Sequence, residues 1–257
     1  MDKNKIILIL LILAIFILNY SFLDSLLISF LDSGEKIFIE RVIDGDTVVS
    51  NGSSIRLLGI NTPEKGELYS AEAKEFLEKM VLEKNVTIKT TGKDRYYRDL
   101  SYLFINGKNV NLEIVKNGFA NFYFPSGKDE YYNDFLDAWE NCLNKNINFC
   151  SKSLDECGNC IELLEWDTQE QKIILRNNCG KYCDIVGWSI KDEGRKTFVF
   201  EEGVAFVNGG EIEVVVGEGR NSYNKLFWEG ETYVWTRGGD TLFLRDKNGG
   251  LVLWKTY

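Results

Sequence analysis

Asn-Gly and Gly-Gly dipeptides recur between short apolar, β-branched runs of this chain, at Asn51-Gly52, Asn106-Gly107, Gly209-Gly210, Gly238-Gly239 and Asn248-Gly249-Gly250. These dipeptides supply the positive φ that tight hairpin turns require, so a chain punctuated this way folds mainly as β-sheet. With only two prolines in 257 residues, the turns rest on Gly and Asn. That length is enough for two hydrophobic cores.

The predicted order begins with a strand over 37–50, the Asn51-Gly52 turn, and a return strand over 55–60. Ser70 reads as the N-cap of a helix to about Leu82, with Phe76, Leu77, Met80 and Val81 on one face. Strands follow at 85–91 and 100–105. A short helix over 111–117 stops at Gly118, and a second amphipathic helix spans 129–144. Tyr132, Phe135, Leu136, Trp139 and Leu143 lie at helical spacing in that last helix and read as core. Near residue 150 the composition shifts to short β runs at 172–176, 185–190, 197–200, 211–216, 241–245 and 251–254, the pattern of an all-β sandwich.

Three segments are expected: 1–33, 34–152 and 153–257. In the first, Lys3 and Lys5 precede a run without charge over 6–22. It sits at the short end of the ~17–25 residues that cross a bilayer. We read it as an uncleaved transmembrane signal-anchor with the body outside the cell membrane, or as a signal peptide of a secreted protein. The formal charge is −9. It argues against a general electrostatic nucleic-acid binder, although gripping one phosphate locally needs no basic coat. The middle segment is near balance, with 15 Lys/Arg against 17 Asp/Glu over 36–150, whereas 151–257 has 13 against 18.

The chemistry-bearing residues gather in 44–98. Asp46 and the Asn61-Thr62 pair are hard oxygen donors of the kind calcium or magnesium takes. Asp46 and Arg56 flank the Asn51-Gly52 turn; an odd, three-residue loop is expected to put them on one sheet face. Glu64, directly after Pro63, is placed to orient or deprotonate a water. Arg56 lies among apolar strand neighbours and needs a carboxylate or phosphate partner, and Arg98 follows Tyr96-Tyr97. Two guanidiniums can hold the non-bridging oxygens of a phosphodiester. With no histidine in the chain, an imidazole acid–base route is excluded.

Asp44-Gly45-Asp46-Thr47, the strand Arg56, Gly59-Ile60-Asn61-Thr62-Pro63-Glu64 and Asp94-Arg95-Tyr96-Tyr97-Arg98 resemble, in order and spacing, the staphylococcal-nuclease-like thermonucleases over 36–150. The resemblance implies a five-stranded OB-type barrel with helices. It also implies a calcium-dependent endonuclease acting on single-stranded or flexible DNA and RNA at the 5′ side of the phosphodiester, leaving 3′-phosphates. Asp46, Asn61 and the Thr62 carbonyl would be metal ligands, Glu64 the general base, and Arg56 and Arg98 the phosphate clamps. Asn61 stands where the family has a carboxylate, so weaker metal binding or a changed metal preference is expected, and base stacking falls to 122–125.

Residues 173–177, 184–190 and 239–249 resemble a lamin-tail domain, an immunoglobulin-like sandwich whose partner the sequence does not name. The six cysteines favour disulfides in an exported body, with Cys142–Cys150 closing the first domain. Cys157, Cys160, Cys179 and Cys183 also approach a structural zinc spacing, the less favoured reading. The rival functions are a non-catalytic barrel that binds nucleic acid or protein, and an adhesive or scaffolding envelope protein.

Overall fold

The computed structural model describes Lys5 and residues 34–257. No helix among the described residues is long and apolar enough to cross a membrane, and the predicted anchor over 6–22 lies outside them.

The first module comprises β1 (Glu35–Phe38), β2 (Arg41–Asp44), β3 (Thr47–Ser50), β4 (Ser53–Leu57), β5 (Gly59–Asn61), α1 (Ser70–Val81), β6 (Asn85–Lys93), β7 (Asp99–Ile105), β8 (Lys108–Asn109), α2 (Val110–Lys116), β9 (Asn121–Tyr123) and α3 (Tyr132–Lys145). Its main sheet runs β1-β6-β7-β4-β3-β2, with β8 on β7; β5 and β9 form a separate pair. The β4–β7 contact is parallel and the others are antiparallel. Among the described residues no ladder joins β1 to β2, so the expected five-stranded barrel is a curled, open OB-like sheet with three helices packed on it.

The predicted strand over 37–50 is three strands. Its last break is the Gly45-Asp46 turn, which Asp44 closes by accepting the Asp46 N–H at 3.1 Å. A side chain at Gly45 would place its Cβ 2.8 Å from Ala73 Cβ on α1, so glycine lets the helix approach. Asn51 and Gly52 have φ of 48° and 71°, the signature of a two-residue I′ turn. Ser70 is the first residue of α1, not its cap. Tyr69 occupies the cap position at φ 68° without a side-chain cap bond, and Ala73, Leu77 and Val81 are the buried stripe. Helix α2 is capped by Asn109, which accepts the Leu112 N–H. The chain leaves α2 through Gly118 at φ +69°, where a Cβ would lie 2.8 Å from Ile147 O and 2.9 Å from Cys142 Sγ.

The second module holds β10 (Ile161–Asp167), β11 (Lys172–Asn177), β12 (Ser189–Lys191), β13 (Thr197–Val199), β14 (Glu211–Val216), β15 (Lys225–Trp228), β16 (Thr241–Arg245) and β17 (Leu251–Thr256). Two four-stranded sheets, β10-β11-β14-β15 and β13-β12-β16-β17, enclose a core that includes Trp188, Ile173, Ile212 and Leu242. This is the expected sandwich. The run over 185–190 is strand only at its end, because 185–188 turns through a Trp188 N–H to Ile185 carbonyl bond of 3.0 Å.

Disulfides join Cys142–Cys150, Cys157–Cys183 and Cys160–Cys179. The zinc reading is thereby corrected: the sulfurs of Cys157, Cys179 and Cys183 do lie close together, but paired sulfurs offer no thiolate to a metal.

The modules are not beads on a linker. All five residues of β16 are buried, as expected of a strand covered on two faces. Leu242 and Leu244 face the sandwich core, while Phe243, with Leu251 and Trp254, joins the core of the first module. There Trp139 meets Phe243 edge-on at 5.4 Å and Trp254 at 6.3 Å. Arg245, also buried, stacks its guanidinium 3.7 Å from the Phe149 ring. The β12–β13 tip, 192–196, also crosses the seam. Burial, then the neighbouring Asp240 charge, pushes Asp192 up to about 7 and Glu193 up to about 8; burial raises Asp240 as well.

Two outcomes follow from this seam. Phe243→Ala should cost about 3–5 kcal/mol and shift one calorimetric transition of the whole chain; a variant that moves only one of two separate transitions would show independent modules. Unfolded carboxylates titrate near pH 4. Folded Asp192 and Glu193 therefore hold protons that the unfolded chain has released, so stability should fall as pH rises from about 4 to about 8 and then level off. Glu193→Gln should flatten that slope in urea titrations; an unchanged slope would assign it to other groups.

Candidate active site

The site lies where β3, β4 and β5 converge beneath the β12–β13 tip. The two-residue turn pairs Arg56 with Thr47, so the odd loop expected from the sequence is absent. Asp46 and Arg56 meet nonetheless, because Asp46 sits in the β2–β3 turn beyond the strand end. Its backbone carbonyl accepts the Leu57 N–H at 2.8 Å, and its Oδ2 lies 3.0 Å from Arg56 Nη1. Strand-face parity does not govern a residue outside the ladder.

This ion pair is buried, with side chains only 8% and 7% exposed for Arg56 and Asp46. Asp46 Oδ2 also accepts from the Thr62 N–H at 3.1 Å and the Thr62 hydroxyl at 2.8 Å. Arg56 donates to the carbonyls of Leu57 and Ile60, each at 3.0 Å, and reaches Asn61 Oδ1 at 3.5 Å. Such a network repays the desolvation that an isolated buried pair would not recover. Asp44, which the sequence reading gave no role, is drawn in as well: burial, then the Asp46 charge, raises its carboxyl above the usual range.

Asp46 Oδ2 thus has the Thr62 hydroxyl beside it, and Arg56 links that carboxylate to Asn61 Oδ1. Asp46 Oδ1 accepts only the Thr47 hydroxyl at 3.1 Å among the described residues, leaving lone-pair capacity on a buried carboxylate. This all-oxygen set suits a hard divalent cation, with one formal charge from Asp46 and none from Asn61.

Glu64 and Arg98 stand apart from that cluster. Glu64 is half exposed, and its Oε1 lies 2.9 Å from Arg195 Nε of the β12–β13 tip. Arg98 Nε pairs with Asp94 Oδ2 at 2.7 Å, and its guanidinium lies 5.6 Å from the Tyr96 ring centre. Among the described residues no hydrogen bond or ion pair links Arg98 to Asp46, Asn61 or Glu64. It does precede β7 by one residue, two positions before Leu100, the register partner of Arg56.

The tip is what sequence reasoning missed. Asn61 Nδ2 donates to the Gly194 carbonyl at 2.7 Å, and Asn121 Nδ2 donates to the Glu193 carbonyl at 2.9 Å. Asn61 and Asn121 are register partners on β5 and β9, so one ladder position grips two consecutive tip carbonyls. Lys191 adds an ion pair to Glu67 at 3.4 Å. A Glu-Gly-Arg-Lys stretch reads locally as an ordinary hairpin turn; its one hint is that Asn61 has the N–H donors a carboxylate lacks.

The staphylococcal nuclease homologue family model matches residues 54–152. An uncharacterized endonuclease of Haemophilus influenzae is 33% identical over 138 residues, covering 52% of this chain and 73% of the relative. A thermonuclease of Staphylococcus intermedius is 28% identical over 127 residues, covering 45% of this chain and 76% of the relative. An uncharacterized protein of Methanocaldococcus jannaschii is 35% identical over 151 residues, covering 44% and 73% respectively. With the Asp46–Arg56–Asn61–Thr62 cluster on its curled sheet, this chain belongs to the staphylococcal nuclease homologue family.

Proposed function

We propose that this protein is a metal-dependent nuclease hydrolysing DNA and RNA at the 5′ side of the phosphodiester to leave a 3′-phosphate. The observation that carries the reading is the buried Asp46–Arg56 pair joined to Asn61 and Thr62, which sets a guanidinium beside a hard-oxygen donor set. Calcium, or magnesium, would be held by the Asp46 carboxylate, the Asn61 side-chain oxygen and the Thr62 carbonyl, supplying positive charge beside a non-bridging phosphate oxygen. Arg56 and Arg98 hold the phosphate oxygens and offset charge that builds as phosphorus becomes five-coordinate. Glu64 orients the attacking water and takes its proton while the 5′ oxygen departs.

Three disulfides support an oxidising compartment, and with Lys3, Lys5 and the uncharged run over 6–22 they favour a membrane-tethered protein acting outside the cell. The lamin-tail-like resemblance of the sandwich suggests a targeting or substrate-presenting role. The second functional reading, a nucleic-acid-binding module without turnover, is favoured only by the engagement of Glu64 with Arg195.

Assays of the purified chain on single-stranded DNA and RNA, with calcium, magnesium or chelator, separate these readings. Cleavage should require metal, and Glu64→Gln should lower kcat by about 10²–10⁴-fold. Wild-type turnover in that variant would remove Glu64 from the chemistry, and binding without cleavage under every metal would leave the binding module. Asn61→Asp should raise calcium affinity by calorimetry while speeding amide exchange at 192–196, since its carboxylate would face the Gly194 carbonyl. Unchanged affinity would show that this side chain is not a ligand.

A further inference from the structure

We propose that Arg195, carried by the C-terminal sandwich, is a third phosphate-binding guanidinium of the nuclease site, holding Glu64 at rest and exchanging it for a substrate phosphate next to the scissile one. This rests on the nuclease reading above and makes the site a product of both modules.

The backbone that carries Arg195 is fixed. The tip closes on itself through the Lys196 N–H to Asp192 Oδ1 at 2.9 Å and the Asp192 N–H to the Lys196 carbonyl at 3.1 Å. It is bolted to the first module by the buried amides of Asn61 and Asn121, which donate to its Gly194 and Glu193 carbonyls. The Arg195 side chain, by contrast, is 63% exposed and its partner Glu64 51%. An ion pair that open to water contributes little, so it yields readily to a better partner. A phosphate, accepting parallel N–H bonds from a guanidinium fork, is such a partner.

Charge and exposure single out the same residue. Arg56 is 8% exposed and tied to Asp46, and Arg98 is 28% exposed and tied to Asp94. Of these three guanidiniums, Arg195 faces solvent most openly. In a chain of net charge −9, a polyanion must be met by local cations at the site. The exchange also frees the Glu64 carboxylate when substrate is present, so that one contact serves binding and the base together.

The test uses the full chain and a short, fluorescently labelled single-stranded oligonucleotide, first with chelator to measure binding and then with calcium to measure turnover. Arg195→Ala should weaken binding about tenfold and reduce the slope of log affinity against log salt by about 0.7, one phosphate contact on a single strand. Arg195→Lys should keep the slope. Glu64→Gln should bind more tightly than wild type, and adding Arg195→Ala to it should abolish that gain. In turnover, the Arg195→Ala loss in kcat/KM should fall mainly on KM. An unchanged salt slope would reduce Arg195 to a structural partner of Glu64 and overturn the proposal. Tighter binding with faster turnover would overturn it in favour of an inhibitory latch. If no metal supports cleavage by wild type, the nuclease reading fails, while the binding and salt measurements still decide whether Arg195 holds phosphate.

Discussion

The buried ion pair between Arg56 and Asp46 is the constraint around which the first module is arranged. Charges removed from water are tolerated where they are paired and hydrogen-bonded. That requirement explains why the β4–β5 corner presents the Leu57 and Ile60 carbonyls to the guanidinium. It also explains why Thr62 turns its amide and hydroxyl toward the carboxylate. The Gly45 turn and the Pro63 segment are thereby held on either side of one charged pair. The donor oxygens of Asn61 and Thr62 arrive at the site as a consequence of satisfying it.

Much of this was legible in the sequence, and the limits have physical causes. Turn dipeptides, the α3 stripe and the Cys142–Cys150 pairing are local signals, and the chain follows them. The spacing of Asp46, Arg56 and the Asn61-Thr62 pair carried the cluster, though by a different route from the one inferred. Asp46 reaches Arg56 from a turn rather than across a ladder, and no pattern of alternation describes a turn residue. Tyr69 at the head of α1 breaks capping preference, entering the helix at φ 68° with no side-chain cap bond. The tip over 192–196 was illegible in principle: its partners Asn61 and Asn121 belong to another module, and only the fold makes them neighbours.

The seam shows how an acidic sandwich can sit against a polyanion-handling site. The second module presents to the first not its acidic outer surface but β16, buried on both faces, and a tip held by amide–carbonyl bonds. Where carboxylates do enter the seam, at Asp192, Glu193 and Asp240, burial favours their neutral forms, which lessens their negative charge beside the site.

Gly118 ties the end of α2 to the covalent bridge of the first module. Its φ of +69° admits glycine readily, and the space its missing side chain would need is taken by Ile147 O and Cys142 Sγ. The Cys142–Cys150 bridge therefore packs against a backbone corner instead of hanging free at the surface. Any reductant must reach that sulfur past the corner, so the oxidation state of the loop over 142–150 is guarded by a residue with no side chain at all.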